Sequence, residues 1–296
     1  MAMPIREIAR AKVNLTLSVL GRRSDGYHDI ESLVTFADIG DLVTFHPGPD
    51  WRITTSGPFA AEIEGPNLLE RTLSLLRELD PGLVLGAVEL EKNLPVAAGL
   101  GGGSADAAAL LRAVRAANPA RAGRIDWHRL ATGLGADVPV CLAGVPALIR
   151  GIGDRVEPLA HQLPPLAAVL ANPRVPLATA HVFAALAAAS PSPHRPLRWG
   201  EGTGTLLAYL RARGNDLEPA AISLLPLIAD VKAAVGAQPG CGLAAMSGSG
   251  PTCFGIFDDD ASSARAAAAL TLAHPNWWIV PTCLDNPARA ELSSRG

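Results

Sequence analysis

Asn93-Leu94-Pro95-Val96-Ala97-Ala98-Gly99-Leu100-Gly101-Gly102-Gly103-Ser104-Ala105 is the stretch on which the reading of the whole chain turns. Upstream, residues 84–91 alternate apolar and polar side chains, the period of a strand. Downstream, residues 105–117 are rich in Ala and Leu and stop before Pro119, as a helix would. Strand, glycine loop and helix N-terminus together make an anion site. Glycines let the backbone come close to a ligand, several N–H groups converge, and the helix dipole adds positive potential. Ser104 is expected at the N-cap or in the first turn, where its hydroxyl can meet a phosphate oxygen or a magnesium ion. The alternative is a turn that only packs. Two other phosphate motifs are excluded by pattern: there is no G-x-x-x-x-G-K-[ST], and Gly101-x-Gly103 lacks the third glycine and the acid-ended strand of a dinucleotide fold.

Working outward, residues 5–19 read as a strand pair or a bent strand, and residues 30–45 as two strands joined by a turn at Asp38-Ile39-Gly40-Asp41. Residues 67–79 and 127–134 have helical spacing, the latter ending at Gly135. The proline-rich stretch 158–165 is the expected boundary between a domain of residues 1–160 and one of residues 161–296. Beyond it, residues 169–171, 252–257 and 277–283 read as strands, and residues 181–189, 220–235 and 261–273 as helices. Residues 190–205, rich in Ser, Pro and Gly, are expected to form a surface segment. A second glycine loop, Met246-Ser247-Gly248-Ser249-Gly250-Pro251, precedes a strand. Strand runs and helix runs without strict alternation predict an α+β architecture in two domains.

The chain has 296 residues, 49% hydrophobic and 18% charged, with a formal net charge of -3. It has ample core material and no overall attraction to nucleic acid, so an anionic ligand needs a local site. No apolar h-region follows Met1, and the richest apolar tract, residues 163–182, is broken by prolines, so neither a signal peptide nor a membrane span is expected. Cys141, Cys241, Cys253 and Cys283 have no CxxC spacing, which predicts reduced thiols in a cytoplasmic protein and no zinc site. Of the 25 Lys and Arg residues only Lys12, Lys92 and Lys232 are lysines. In so arginine-biased a chain, a remaining lysine is a candidate for a site that needs a point-charge ammonium.

The string from Leu94 to Ala108 resembles the ATP-binding signature of the GHMP kinases (galacto-, homoserine, mevalonate and phosphomevalonate kinases), and Met246 to Phe254 resembles that family's C-terminal glycine motif. Ala11-Lys12-Val13-Asn14-Leu15-Thr16-Leu17, Asp25-Gly26-Tyr27-His28, Gly135-Ala136-Asp137-Val138-Pro139-Val140-Cys141, Asn172-Pro173-Arg174-Val175-Pro176 and Asn215-Asp216-Leu217-Glu218 narrow the resemblance to the branch that phosphorylates a cytidine diphosphate-linked polyol. It runs from about Glu7 to Phe257, and residues 288–296 match nothing. The resemblance implies a two-domain GHMP kinase fold: an N-terminal ATP-binding domain like that of a small ribosomal-subunit protein, and a ferredoxin-like C-terminal domain. It also implies ATP and Mg2+ as cofactors, a small-molecule substrate, and neither a nucleic acid nor a membrane partner.

Phosphoryl transfer to an alcohol needs positioning, charge stabilisation and an acceptor for the hydroxyl proton. Asp137, in an apolar stretch, reads as the base or as a helix cap. Lys12, on an alternating strand with Val13 and Leu15 on the other face, reads as its cationic partner or as a solvated residue. The resemblance assigns this pair as catalytic. By resemblance, Lys92 and Asn67 line the nucleotide pocket with the loop from Pro95 to Ala105, and Gly248, Ser249 and Gly250 fold back near the phosphates. Lys92 also reads as a surface strand end, and Lys232 as a solvated helix residue. Tyr27, His28 and Phe183 suit a base, which needs a flat apolar surface and polar edge contacts. By resemblance, Tyr27 and Phe183 sandwich a cytosine while Asn14, His28 and Thr179 make polar contacts. For Phe183, core packing is the alternative. Only Ser104 is identified as a magnesium donor. The rivals are a homoserine- or mevalonate-type kinase and a non-catalytic nucleotide-binding protein.

Overall fold

The structure is a computed structural model that describes residues 3–49, 51–63, 65, 67–160, 163–186, 199–200 and 202–285. Most of the 190–205 segment and the 288–296 tail singled out in the sequence lie outside the described residues. Chain order begins with strands β1 (Ile5–Asn14), β2 (Ser18–Arg22), β3 (His28–Pro47) and β4 (Ile53–Ser56), then helix α1 (Leu68–Leu79) and strand β5 (Gly86–Glu91). Helices α2 (Gly102–Ala117), α3 (Pro119–Ala122), α4 (Trp127–Leu134) and α5 (Val138–Ala143) follow, then strands β6 (Ala147–Gly151) and β7 (Arg155–Pro158). The second half comprises β8 (Leu166–Asn172), α6 (Thr179–Ala185), α7 (Thr203–Arg213), α8 (Glu218–Leu224), α9 (Leu227–Gly236), β9 (Cys241–Met246), β10 (Cys253–Phe257), α10 (Asp260–Ala273) and β11 (Trp278–Leu284).

β3 is the spine, pairing antiparallel with β1, β2, β5 and β6. The two strands and turn expected over residues 30–45 are in fact one 20-residue strand. Asp38-Ile39-Gly40-Asp41 has turn composition, but both carboxylates are taken up by tertiary partners. Asp38 accepts from the Cys283 N–H at 3.0 Å and from the Thr282 hydroxyl, while Asp41 binds Lys92 and two backbone N–H groups. Gly40 is required by close approach: a Cβ there would lie 2.3 Å from the Ala9 carbonyl oxygen.

Helix α1 starts at Asn67, whose Oδ1 accepts from the Leu69 N–H at 3.0 Å, and buries Leu69, Leu73 and Leu76 completely. Each such leucine contributes about 2–3 kcal/mol of burial. The alanines of α2 let it lie close on β1 between α1 and α5. The hairpin of β6 and β7 was not anticipated from the sequence. The single helix expected over residues 220–235 is two helices, because Pro226 lacks the N–H to continue α8 and instead starts α9. Residues 203–205, expected in the surface segment, begin α7.

In the second half β8 is central and every one of its residues is buried, with β10 and β11 beside it and β9 outside β10. β11 also meets β3, through Leu284 opposite Ala37, so the two halves share one 11-stranded sheet. Of the described strand pairs, only β4 with β5 is parallel. The result is α+β. We propose the division at residues 160 and 161, which falls in the connection between β7 and β8.

Candidate active site

β1 carries Lys12 and Asn14 into the middle of the molecule, where both are buried. A register shift between Arg10 and Lys12 breaks the pairing with β3 at this point, and the Lys12 N–H donates instead to the Leu100 carbonyl at 2.9 Å. The glycine loop is thus tied to the strand that bears the lysine. Gly99 and Gly101 both have positive φ, +73° and +63°. A Cβ on Gly99 would lie 2.5 Å from the Ser247 carbonyl oxygen, and one on Gly101 3.2 Å from Lys12 Cε. Glycine is therefore demanded at both positions, by conformation and by close approach.

The second glycine loop lies against the first. The Ser247 hydroxyl donates to the Gly99 carbonyl at 3.0 Å, and the Thr252 N–H donates to the Ala98 carbonyl. Asn215 clamps the same loop, donating from Nδ2 to the Met246 and Gly248 carbonyls at 3.0 and 2.8 Å.

Between these loops, β1, β5 and α6 is an open cavity of about 520 Å³. The half on the side of the first glycine loop is lined by Asn67, Lys92, Pro95, Val96, Ala97, Ala98, Gly99, Gly101, Gly102, Gly103 and Ser104. The other half is lined by Lys12, Asn14, Asp137, Thr179, Phe183, Gly248 and Ser249. Ser104 stands in the first turn of α2. Leu100, Ala105 and Gly250 lie behind the lining: Leu100 and Ala105 belong to the core, and the Gly250 N–H closes its own turn on the Ser247 carbonyl.

Lys12 Nζ lies 2.8 Å from Asp137 Oδ2. The lysine side chain is almost wholly enclosed, while the carboxylate is about one-third open to the cavity. Asp137 does occupy the N-cap position of α5, yet its side chain makes no capping hydrogen bond. The carboxylate is given to the lysine and the cavity instead.

The reading of Lys92 as a surface strand end is overturned. It is buried and ion-paired with Asp41 and with Asp106, the latter at 2.9 Å. Its nominal reach into the pocket is used by these two carboxylates. Burial alone would lower the Lys92 pKa, but attraction to Asp106 and Asp41 outweighs it and the net shift is upward. Sequence reasoning did not single out Asp41 or Asp106. The signal available was Lys92 itself, since a lysine beside an apolar loop requires a buried acid. Lys232, read as solvated, pairs with Glu218.

His28 stacks on Phe183, with ring centroids 5.1 Å apart and planes 24° apart. Tyr27 is 61% exposed on the preceding turn and does not line the cavity. Thr179 and Ser249 share a hydrogen bond at 2.8 Å. Asn14 Nδ2 donates to the Ser32 hydroxyl at 2.7 Å, and its buried Oδ1 has no partner. Cys141, below Asp137, is pushed up to about 12 by burial, which keeps it a thiol.

Known proteins resemble this chain in sequence and in fold. The sequence profile of the GHMP kinases N terminal domain matches residues 67–145, and that of the GHMP kinases C terminal region matches residues 201–276. A 4-diphosphocytidyl-2-C-methyl-D-erythritol kinase of Rhodopseudomonas palustris is 47% identical, covering 94% of this chain and 96% of its own length. The protein of the same name from Parvibaculum lavamentivorans is 48% identical, covering 94% and 98%. A crystal structure of 4-(cytidine 5'-diphospho)-2C-methyl-D-erythritol kinase superimposes with a TM-score of 0.77 at 36% identity, covering 95% of this chain and all of that one. The homoserine kinase of Cytophaga hutchinsonii shares the fold, with a TM-score of 0.63 at 19% identity over 95% of each chain. The chain belongs to the 4-diphosphocytidyl-2-C-methyl-D-erythritol kinase family of GHMP kinases and is an ATP-dependent small-molecule kinase.

Proposed function

We propose that this enzyme transfers the γ-phosphate of ATP to the 2-hydroxyl of 4-diphosphocytidyl-2-C-methyl-D-erythritol, a step toward isoprenoid precursors by the non-mevalonate route. The observation that carries the mechanism is the Lys12–Asp137 pair at 2.8 Å, beside Gly101 where the two halves of the cavity meet. The N–H groups in the first turn of α2 have no acceptor within the helix and converge on the triphosphate. Asp137 takes the proton of the acceptor hydroxyl. The new O–P bond forms as the bond from the γ-phosphorus to the β-bridging oxygen breaks, and ADP leaves. Lys12 anchors the Asp137 carboxylate at 2.8 Å and offsets charge on the transferring group.

Magnesium would enter with the triphosphate. Among the described residues no cluster of three His, Cys, Asp or Glu side chains could hold a metal, and Ser104 is the one hydroxyl in the first turn of α2. That donor set fits an ion held mainly by phosphate oxygens and water, with Ser104 as its protein ligand. Bound there, it would neutralise phosphate charge.

On the acceptor side, the exposed face of Phe183, backed by His28, offers a flat surface to the cytosine. Tyr27 closes on it from the exposed turn. Asn14 Oδ1 and Thr179 supply polar contacts. No disulfide joins the four cysteines, and no helix among the described residues is long and apolar enough to cross a membrane. Reduced thiols fit a cytoplasmic setting.

The test is ADP release with ATP and magnesium, comparing the cytidine-bearing substrate with mevalonate and homoserine. Turnover with the cytidine substrate alone is expected. Turnover only with another alcohol would discard the cytosine pocket while keeping the phosphoryl-transfer machinery.

A further inference from the structure

Strand β1 ends at Asn14, and the three residues after it leave the strand before β2 begins at Ser18. The Thr16 carbonyl is thereby free of the ladder and accepts from the hydroxyl of Ser32, a fully buried residue of β3. A serine hydroxyl carries one proton. With that proton given to Thr16, the Ser32 oxygen can only accept. Asn14 lies 2.7 Å from it, so the amide must present its NH2 group there. The orientation of the Asn14 amide thus follows from counting donors, not from telling nitrogen and oxygen apart.

Oδ1 is left at the other end of the amide. It is buried, has no partner, and belongs to a residue that lines the cavity. A Cβ on Gly248 would lie 3.0 Å from it, so a glycine keeps the space beside it open. The backbone is fixed as well, because the Asn14 N–H donates to the Ser247 hydroxyl oxygen at 3.1 Å. An amide oxygen accepts and never donates, and a buried one without a donor is costly. A ligand in the cavity can supply the missing proton. Asn14 is two residues from Lys12 on the same face of β1, which puts it at the reacting end of the site. The hydroxyl that is phosphorylated gives its single proton to Asp137. The proton for Asn14 must therefore come from a different hydroxyl.

We propose that Ser32 is a positioning residue for the acceptor alcohol. It takes Asn14 Nδ2 and turns Oδ1 to the cavity, so that the substrate must donate a hydrogen bond from a hydroxyl other than the one phosphorylated. In the polyol proposed above, that is the 1- or the 3-hydroxyl; the inference rests on that reading of the substrate. Ser32 touches no ligand itself. It selects for a donor by fixing which end of an amide the ligand meets.

The experiment compares the cytidine substrate with its 1-deoxy-1-fluoro and 3-deoxy-3-fluoro analogues, since fluorine matches a hydroxyl in size but has no proton to give. In the native enzyme one of the two should lose roughly tenfold or more in kcat/KM, with the KM for ATP unchanged. Ser32→Ala should raise the KM for the natural substrate by a similar factor, again without moving the KM for ATP. It should also shrink the preference for hydroxyl over fluorine, because the amide is then free to turn. A purely structural role for Ser32 would leave that preference intact. Amide hydrogen exchange gives a readout that needs no turnover. The Asn14 side-chain NH2 protons, identified by their loss in Asn14→Ala, should exchange slowly in the native protein and fast in Ser32→Ala. Should Ser32→Ala fail to fold, the native fluorine comparison and the native exchange rate still decide. Equal turnover of both fluoro analogues and the natural substrate, an unchanged preference in Ser32→Ala, or a fast-exchanging Asn14 amide in the native protein would overturn the proposal. ADP release with none of the cytidine compounds would instead sink the reading of the substrate, and the exchange rates would still report on Ser32 and Asn14.

Discussion

Asp137 and Lys12 lie 125 positions apart in the chain and 2.8 Å apart in space, and no capping bond competes for the carboxylate. Asp137→Asn should therefore lose about 10²–10⁴-fold in kcat, the usual contribution of a positioned base, while retaining ATP binding. Single-turnover kinetics together with nucleotide titration would check this, and an asparagine variant with native kcat would remove Asp137 as the base. Tyr27 is a different case, since its exposure leaves it little to do in the resting fold. If it closes on a base, Tyr27→Ala should raise the KM for the cytidine substrate by roughly tenfold or more, the worth of one stacking contact, with little change in thermal stability. A mevalonate- or homoserine-type substrate would be indifferent to that change. Both residues were legible from the sequence, because carboxylate, ammonium and aromatic side chains are scarce in such apolar or glycine-rich surroundings.

At the scale of elements, the two glycine loops act as one unit. Ser247 and Thr252 from the second loop bond to Gly99 and Ala98 of the first, and Asn215 at the start of the segment after α7 holds the second loop by two carbonyls. Gly99→Ala must accept a positive φ and push its Cβ toward the Ser247 and Gly250 carbonyl oxygens, at 2.5 and 2.7 Å. It should cost at least about 1–2 kcal/mol of stability from conformation alone, with a larger loss of ATP affinity. Denaturant melts alongside ATP titration would separate the two effects. Asn215→Ala strands two carbonyls, at about 1–3 kcal/mol each if they stay dry. Its expected signature is weakened binding of both substrates, since the loop it holds lines one half of the cavity and is hydrogen-bonded to the first glycine loop, which lines the other; an effect on the cytidine substrate alone would contradict that picture. The loops themselves could be read in the sequence, whereas the clamp could not. Asn215 was noted only as part of a motif, and nothing local reveals which carbonyls an amide will reach.

For the molecule as a whole, the junction of its halves runs through β11 and β3, and Asp285 closes it. The Asp285 N–H donates to the Phe36 carbonyl at 2.9 Å. Burial pushes its carboxyl up to about 6, with Arg10 and a bond to Leu163 opposing. A carboxyl whose folded pKa is raised contributes most below the unfolded value near 4, and the contribution is lost as pH rises through about 6. The melting temperature should thus decline between about pH 4 and 7, and Asp285→Asn should flatten that part of the curve; an identical decline in the variant would assign it elsewhere. How the halves meet was beyond sequence reading, as was the continuity of β3 through Asp38-Ile39-Gly40-Asp41. Local composition there favours a turn, and only the distant partners Thr282, Cys283 and Lys92 make an extended backbone with buried acids the better solution. By itself the sequence determined the α+β character, the glycine loop that leads into a helix and the candidates Lys12 and Asp137, because hydrophobic period, glycine content and the scarcity of charge in apolar stretches are local properties. The tertiary structure alone decided the Lys92–Asp41–Asp106 cluster, the Asn215 clamp and the stacking of His28 on Phe183, because each depends on contacts between segments whose separation along the chain leaves no local trace.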